Sequence, residues 1–399
     1  MLDFTTALHC ILEHTTVLPP QQKYFTETQG NVLAENIFTS EPIPRFDFSA
    51  VDGFAVRSSE ITSLQAKLKL QGTIRAGDAE QLLLKKNHAL KILTGAPVPN
   101  NADAIVMNED CEENSSDVII HKKITQGENI RKRGGEFTKG ALVLSVGTVI
   151  TPPVIGMLAT CGRTKVKIIR SPKIAVIVTG NELQSPSAKL KYGQIRNSNL
   201  FTLVSSIQAM GMNPAFAVCV RDDKRSLLNA FRAALYKADV VISSGGVSVG
   251  ETDLVKNVLK ELRVTQHFWG VAMKPGKPNF FGAKGKKLVF GLPGNPVAAL
   301  LSFHLLVKPA LHKMLGRNIS EEVFSALMME PLHKKAGRME FVRGKFFRNI
   351  EGKIFVHATK GQDSHMLGGL TSANCLIHFP KEKEKIEQGD SVIITPLLW

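Results

Sequence analysis

Cysteine is sparse in this chain of 399 residues. Cys10, Cys111, Cys161, Cys219 and Cys375 are scattered and odd in number. None forms a CxxC pair or stands at Cys/His ligand spacing, which excludes a disulfide framework, a zinc site and a redox motif. Buried free thiols are the expected state. Long apolar runs are also missing, with nothing near the ~18 residues of a membrane helix. Residues 1–16 lack the basic region, apolar core and cleavage site of a secretion signal. Asp3 instead suits the cap of a short amphipathic helix carrying Phe4, Leu8, Ile11 and Leu12. The expectation is a cytoplasmic protein with no membrane partner.

Aromatic residues make up only 7% of the chain, although the net charge is +15. Such a charge calls for anionic partners. The basic residues are dispersed, and no zinc finger, RNA-recognition signature or basic helix occurs, so a nucleic-acid partner is not expected. An anionic small substrate accounts for the charge equally well. The densest basic run, Arg131-Lys132-Arg133, reads as a solvated turn before Gly134-Gly135. Also absent are the GK[ST] of a P-loop, the GxGxxG of a dinucleotide fold and any Ser/His/Asp or Cys/His nucleophile pattern.

What is present is a set of polar, glycine-rich loops after apolar strands. Residues 171–316 alternate strand and helix patterns: Lys173–Val178, a helix from Ser198 or Asn199 to Gly211, Ala215–Val220, a helix over Ser226–Tyr236, and Ala238–Ile242. A helix bearing Leu254, Val255, Val258 and Leu259 follows, then Leu288–Phe290 and a last helix opened by Asn295-Pro296. Asparagine suits the N-cap there and proline the first turn. The alternation predicts a doubly wound α/β domain, whose ligands sit beyond the strands' carboxyl ends. Those ends are Thr179-Gly180-Asn181-Glu182, Arg221-Asp222-Asp223, Ser243-Ser244-Gly245-Gly246-Val247-Ser248-Val249-Gly250-Glu251-Thr252-Asp253, and Gly291-Leu292-Pro293-Gly294-Asn295-Pro296. Glycine turns that open a helix let backbone N–H groups approach an anion, and the helix dipole adds to the attraction. Glu182, Asp222 and Asp253 supply carboxylates suited to Mg²⁺, a hard ion that takes one or two of them with waters and phosphates. Lys274 and Lys277 flank a Pro275-Gly276 turn, an arrangement suited to an oxyanion. Asp253 also suits a helix's first turn, and the two lysines also suit a solvated surface turn.

The flanking segments read differently. Short β-like runs within 46–143 predict a β-rich module; 1–45 with 144–170, Pro152 opening a helix, form an elongated linking region. Runs at 340–343, 353–357, 375–379 and 391–395 predict a small β-barrel-like domain over 317–399. The expected fold class is therefore multidomain α/β, with the doubly wound domain at 171–316 between these parts.

Several motifs, in order, resemble those of the molybdopterin molybdotransferases, the molybdenum insertases of molybdenum cofactor biosynthesis, and of the similar gephyrin E-domain region. They are Ser49-Ala50-Val51-Asp52-Gly53-Phe54-Ala55, Thr94-Gly95-Ala96-Pro97-Val98-Pro99, Thr179-Gly180-Asn181-Glu182-Leu183, Ser243 to Asp253, Lys274 to Pro278, and Gly291 to Pro296. The resemblance implies adenylylated molybdopterin and molybdate as substrates, release of AMP, Mg²⁺ as metal, and a homodimer. The adenylyltransferase that makes the substrate is the implied protein partner. Matched by motif, Thr179, Gly180, Ser243, Ser244, Gly245, Gly246, Ser248, Gly250, Pro293, Gly294, Asn295 and Pro296 would cradle the phosphate-bearing pterin. Asp222, Asp253 and Glu182 would organise metal and water. Lys274, Lys277, Pro278, Arg338 and Ser364 would meet molybdate, and Asp52 and Thr94 would enter the partner's cleft. Ala298 stands where relatives commonly carry serine, and Phe137 where an acid is common. Two other classes remain to be weighed. A binding scaffold would carry an extra fused region, and an adenylyltransferase would need only residues 171–316.

Overall fold

A computed structural model describes residues 1–78, 81–246, 254–317 and 323–397. The chain forms two compact units, one of Met1–Gln22, Gly30–Ala34 and Lys167–Trp399, the other of Lys23–Gln29 and Glu35–Val166. The parts are a β-rich N-terminal region, a central α/β domain and a C-terminal barrel. Among the described residues no helix is long and apolar enough to cross a membrane.

The central domain runs β1 (Ile174–Thr179), α1 (Asn199–Ala209), β2 (Phe216–Val220), α2 (Lys224–Lys237), β3 (Val240–Ser244) and α3 (Leu254–Glu261). It continues through β4 (Thr265–Trp269), β5 (Phe280–Lys284), β6 (Lys287–Leu292) and α4 (Pro296–Ser302). The sheet order is β2-β1-β3-β6-β5-β4. The first four strands are mutually parallel, so their carboxyl ends share one edge. Every residue of β1 is buried. Ile174, Val176 and Val178 enter one hydrophobic cluster, and Ala175 and Ile177 enter another. That division follows from the two-residue repeat of a strand covered on both faces, and it explains the unbroken apolar run.

Two antiparallel strands, β4 and β5, were not expected from the sequence. Thr265-Gln266-His267 opens β4 with three consecutive polar residues, and Gly282 interrupts β5, so neither shows the continuous run of its neighbours. The start of the sheet is clamped by Arg170, whose guanidinium donates to both Asp239 oxygens at 2.7 and 2.8 Å. The Lys173 N–H donates to the same carboxylate at 2.8 Å. Burial alone would raise the Asp239 pKa, and these donors more than reverse it.

In the C-terminal region Phe324–Met328 joins Ile354–Ala358 to Ser391–Pro396. Ser391–Pro396 pairs with Cys375–Phe379, and Met339–Arg348 pairs with both Cys375–Phe379 and Ile354–Ala358. The circuit closes into a five-stranded barrel, which removes its edges. Met273–Lys274, between β4 and β5, pairs in parallel with Met339–Glu340 and so brings the lysine loop onto this barrel.

The N-terminal unit holds a six-stranded sheet in the order Ala104–Met107, Gly53–Val56, His88–Ile92, Ala66–Ile74, Asp117–Ile120, Cys111–Glu113. Phe54 and Ala55 enter different clusters, so both faces are covered. A Cβ on Gly53 would lie 1.9 Å from the Val106 carbonyl oxygen, so only glycine allows the two strands this approach.

Candidate functional site at the carboxyl edge of the central sheet

The parallel order brings four strand ends together, and small residues let their loops touch. Thr179 Oγ1 donates to Asp222 Oδ1 at 3.2 Å, and the Asp222 N–H donates to Asn181 Oδ1 at 3.2 Å. Gly245 and Gly246 have φ of +89° and +64°, the left-handed region that favours glycine. A Cβ on Gly245 would fall 2.2 Å from the Thr179 carbonyl oxygen. One on Gly246 would fall 2.7 Å from Val255 Cγ2 and 3.5 Å from Asp222 Oδ1. One on Gly180 would meet both Glu182 carboxylate oxygens at 2.7 Å. One on Gly294 would sit 3.7 Å from Gly245 Cα. Thr179, Gly180, Glu182, Asp222, Gly245, Gly246, Gly294 and Asn295 therefore share one rim. Ser248, Gly250 and Asp253 lie outside the described residues.

Ser243 and Ser244 are fully buried. Their hydroxyls donate to the carbonyls of Phe290 (3.3 Å) and Pro293 (2.8 Å), so they brace β3 against β6 and do not offer hydroxyls to a ligand. Asn199 belongs with them. Its Nδ2 donates to Ser244 Oγ at 2.8 Å and to the Gly294 carbonyl at 2.7 Å. Its Oδ1 is buried and has no partner among the described residues. From sequence Asn199 reads as a helix cap; in the structure Asn197 Oδ1 accepts from Leu200 N at 3.1 Å and frees Asn199 to turn inward. Asn295 occupies the N-cap of α4 with Pro296 in the first turn, yet it makes no side-chain cap bond. Its Nδ2 donates to Ser364 Oγ at 2.8 Å, and the Val297 N–H donates to the Ser364 carbonyl at 3.1 Å. Ser364 is thus brought to the rim by α4.

The other predicted oxyanion residues are placed unequally. The Lys274 ammonium is paired with Glu340. Lys277 is exposed and has no ion pair among the described residues, beside half-buried Pro278. Gly276, at φ +106°, would press a Cβ to 2.9 Å from Ser302 Oγ, so the turn is seated on the end of α4. Arg338 is exposed, and its carbonyl accepts from Lys334 Nζ at 2.9 Å. Arg343, which the sequence reading passed over, is fully buried. Its Nη2 donates to the carbonyls of Gly361 (2.5 Å) and Asp363 (3.3 Å), while Nε and Nη1 have no partner among the described residues. Burial lowers its pKa from the ordinary arginine value. Gln362 holds the Arg343 backbone at both its N–H and its carbonyl, so the segment before Ser364 wraps this guanidinium. The overlooked signal was period: Phe341 and Arg343 both point inward from one strand.

Asp52 and Thr94 lie in the N-terminal unit. Thr94 donates to Asp52 Oδ1 through its N–H (2.6 Å) and its hydroxyl (2.8 Å). The backbone bond foremost, then the hydroxyl, holds the Asp52 pKa below the ordinary carboxylate range. The basic triplet is not merely a solvated turn. Arg131 pairs with Phe48, the Arg133 N–H donates to Asp47 at 2.7 Å, and Lys132 Nζ pairs with Asp47 at 2.9 Å. These contacts join it to the strand that leads into the Asp52 motif.

Among the described residues, no group of three or more His, Cys, Asp or Glu is placed to hold a metal. With Asp253 outside them, Asp222 and exposed Glu182 remain as neighbouring carboxylates. Glu182 also faces Cys219. Burial foremost, and the Glu182 charge after it, push that thiol's pKa up. Two carboxylates are a number that Mg²⁺, a hard ion, takes together with waters and phosphates, and a Cβ on Gly246 would crowd Asp222 Oδ1 at 3.5 Å.

Three family models match the chain: "MoeA N-terminal region (domain I and II)" over residues 2–162, "Probable molybdopterin binding domain" over 175–313, and "MoeA C-terminal region (domain IV)" over 325–397. A Haemophilus influenzae protein named molybdopterin molybdenumtransferase is 36% identical, over 99% of this chain and 98% of its own length. A Staphylococcus aureus protein of that name is 34% identical, over 97% and 94%. The solved molybdopterin biosynthesis MoeA protein of Pyrococcus horikosii superposes with a TM-score of 0.84 at 32% identity, covering 99% of each chain. The chain belongs to the molybdopterin molybdenumtransferase (MoeA) family of molybdenum cofactor biosynthesis.

Proposed function

We propose that this enzyme inserts molybdenum from molybdate into adenylylated molybdopterin, hydrolyses the adenylyl linkage and releases AMP. The observation that carries the reading is the close meeting of the Gly245-Gly246 turn with Thr179, Asp222 and Gly294 at one rim, where only glycine fits and Glu182 and Asn295 stand on the adjoining loops. Backbone amides there would hold the substrate's phosphates, with the glycines permitting close approach. Asp222, fixed by Thr179 and Asn181, would orient the attacking water and take its proton as the P–O bond to AMP breaks. Mg²⁺ would be held by Asp222 and Glu182, and Asp253 where it reaches them; when bound it neutralises phosphate charge. Molybdate, a tetrahedral dianion, would be met by Lys277, Lys274, Pro278, Ser364 and Arg343, whose buried Nε and Nη1 have no partner among the described residues and favour an anion better than exposed Arg338 does. Holding both anions in one cleft makes the exchange effectively intramolecular.

The same reading includes a homodimer in which Asp52 and Thr94 complete the partner's cleft. Support comes from the helix Pro152–Thr160, whose sequence PPVIGMLAT carries no charge and buries only Leu158 among its residues. The sequence divisions at 1–45 with 144–170, 46–143, 171–316 and 317–399 stand as the proposed modules. The enzyme would work in the cytoplasm and receive substrate from the adenylyltransferase. The deciding experiment is turnover of adenylylated molybdopterin with Mg²⁺, scoring AMP with and without molybdate. Molybdate-dependent AMP release is expected, and its absence from folded protein would overturn the reading.

A further inference from the structure

From Leu183 to Arg221 the chain contains no aspartate or glutamate, but carries Lys189, Lys191, Arg196 and Arg221. This stretch starts directly after Glu182 and ends directly before Asp222, both on the rim. Leu183–Gln184 and Ile195–Arg196 run side by side in parallel, so residues 185–194 form a loop that returns to its origin. The Ile195 N–H donates to the Glu182 carbonyl at 2.9 Å, and the Asn197 N–H to the Gln184 carbonyl at 2.9 Å. The base of the loop is therefore tied to the Glu182 backbone. Within it, Arg196 Nε donates to the Pro186 carbonyl at 2.9 Å and Lys191 N to Gln194 Oε1 at 2.9 Å, so the loop has defined internal structure.

Beside Gly193 the loop carries Tyr192, whose exposure of 107% means that no protein atom covers the ring. The chain has three tyrosines. Tyr24 lies under the Lys165 ammonium at 4.7 Å, and Tyr236 stands in the last turn of α2, at the sheet edge opposite the rim. Tyr192 alone stands on a segment anchored at the candidate site. A bare aromatic ring flanked by cations suits a planar heterocycle attached to phosphate, because stacking tolerates any π-face and the lysines meet the charge.

We propose that the 185–194 loop is a substrate-recognition arm, with Tyr192 stacking on a fused heterocycle of the substrate and Lys189 and Lys191 meeting its phosphates. The proposal rests on the insertase reading and deepens it. The substrate has two such rings, adenine and pterin, and the probes are AMP and a pterin bearing a phosphate monoester. Calorimetric titration of the full-length protein with each, for wild type, Tyr192→Phe and Tyr192→Ala, tests it. The alanine variant is expected to bind one probe roughly 5- to 100-fold more weakly, with phenylalanine close to wild type. The weakened probe names the ring. In turnover, Tyr192→Ala should raise KM for adenylylated molybdopterin while leaving kcat and the molybdate dependence unchanged. Equal binding of both probes by the alanine variant and wild type, with wild type turning over, overturns the arm and leaves the insertase reading standing. Wild-type protein that neither turns over nor binds either probe overturns both.

Discussion

Asp222 is held from two directions, by the Thr179 hydroxyl at its carboxylate and by Asn181 at its backbone. Asp222→Ala should leave the fold intact and reduce AMP release by about 10²–10⁴-fold, the range for losing a positioned acid–base group. Thermal melting alongside single-turnover assays checks both halves. Arg343→Lys keeps a charge but loses the planar fork, and should raise the molybdate needed for half-maximal activity at least about tenfold. An unaltered molybdate titration would remove Arg343 from the anion site. Asp52 provides a pH signature. Its pKa is depressed in the folded state, so its contribution to stability is fully present above the ordinary carboxylate range. That contribution is lost as pH falls through the lower folded value. Thr94→Ala should bring the Asp52 titration part of the way back up, because the backbone donor, the larger cause, remains. Carboxyl NMR titration reads the shift.

Among elements, the glycine turn after β3 is the most exacting. Gly245→Ala would place a Cβ 2.2 Å from the Thr179 carbonyl oxygen at a left-handed φ, so β1 and β3 would have to separate at the rim. A cost of about 1–3 kcal/mol and loss of turnover are expected, read by denaturant unfolding and by the AMP assay. The four parallel strands were legible in the sequence because each is a largely apolar run with Gly180, Asp222, Gly245 or Gly294 just beyond its end. Strand β5 was not, since Gly282 breaks its run; nor was Ala66–Ile74, where Gly72 interrupts the alternation and the β-branched Thr73 and Ile74 come only at its end. Asn295 was rightly placed at the start of a helix, but its amide is engaged by Ser364, a contact between residues 69 apart in the chain.

At the scale of the whole molecule, the net charge of +15 should speed the approach of a polyanionic substrate. Raising salt from about 50 to about 500 mM shrinks the screening length severalfold, so kcat/KM should fall while kcat stays nearly constant. Stopped-flow binding at the two salt levels separates association from chemistry. If the proposed homodimer forms, the uncharged helix Pro152–Thr160 is its expected contact, and Ile155→Asp should then give a monomer by light scattering where the unaltered chain gives a dimer. Mixing an Asp52→Ala chain with an Asp222→Ala chain should restore turnover that neither gives alone if Asp52 acts in the partner's cleft, and no recovery would remove it from there.

Composition and period alone determined the fold class, the strand ends and the carboxylates and glycines stationed there, because burial on both faces and tight turns leave local marks. Which residues meet was decided by packing. Arg343 became a buried cation only when the barrel closed and Gly361–Ser364 wrapped it, and Lys274 found Glu340 only through the pairing of Met273–Lys274 with Met339–Glu340. Those partners lie far apart along the chain, and no local pattern reports a contact whose geometry is set by the register of distant strands.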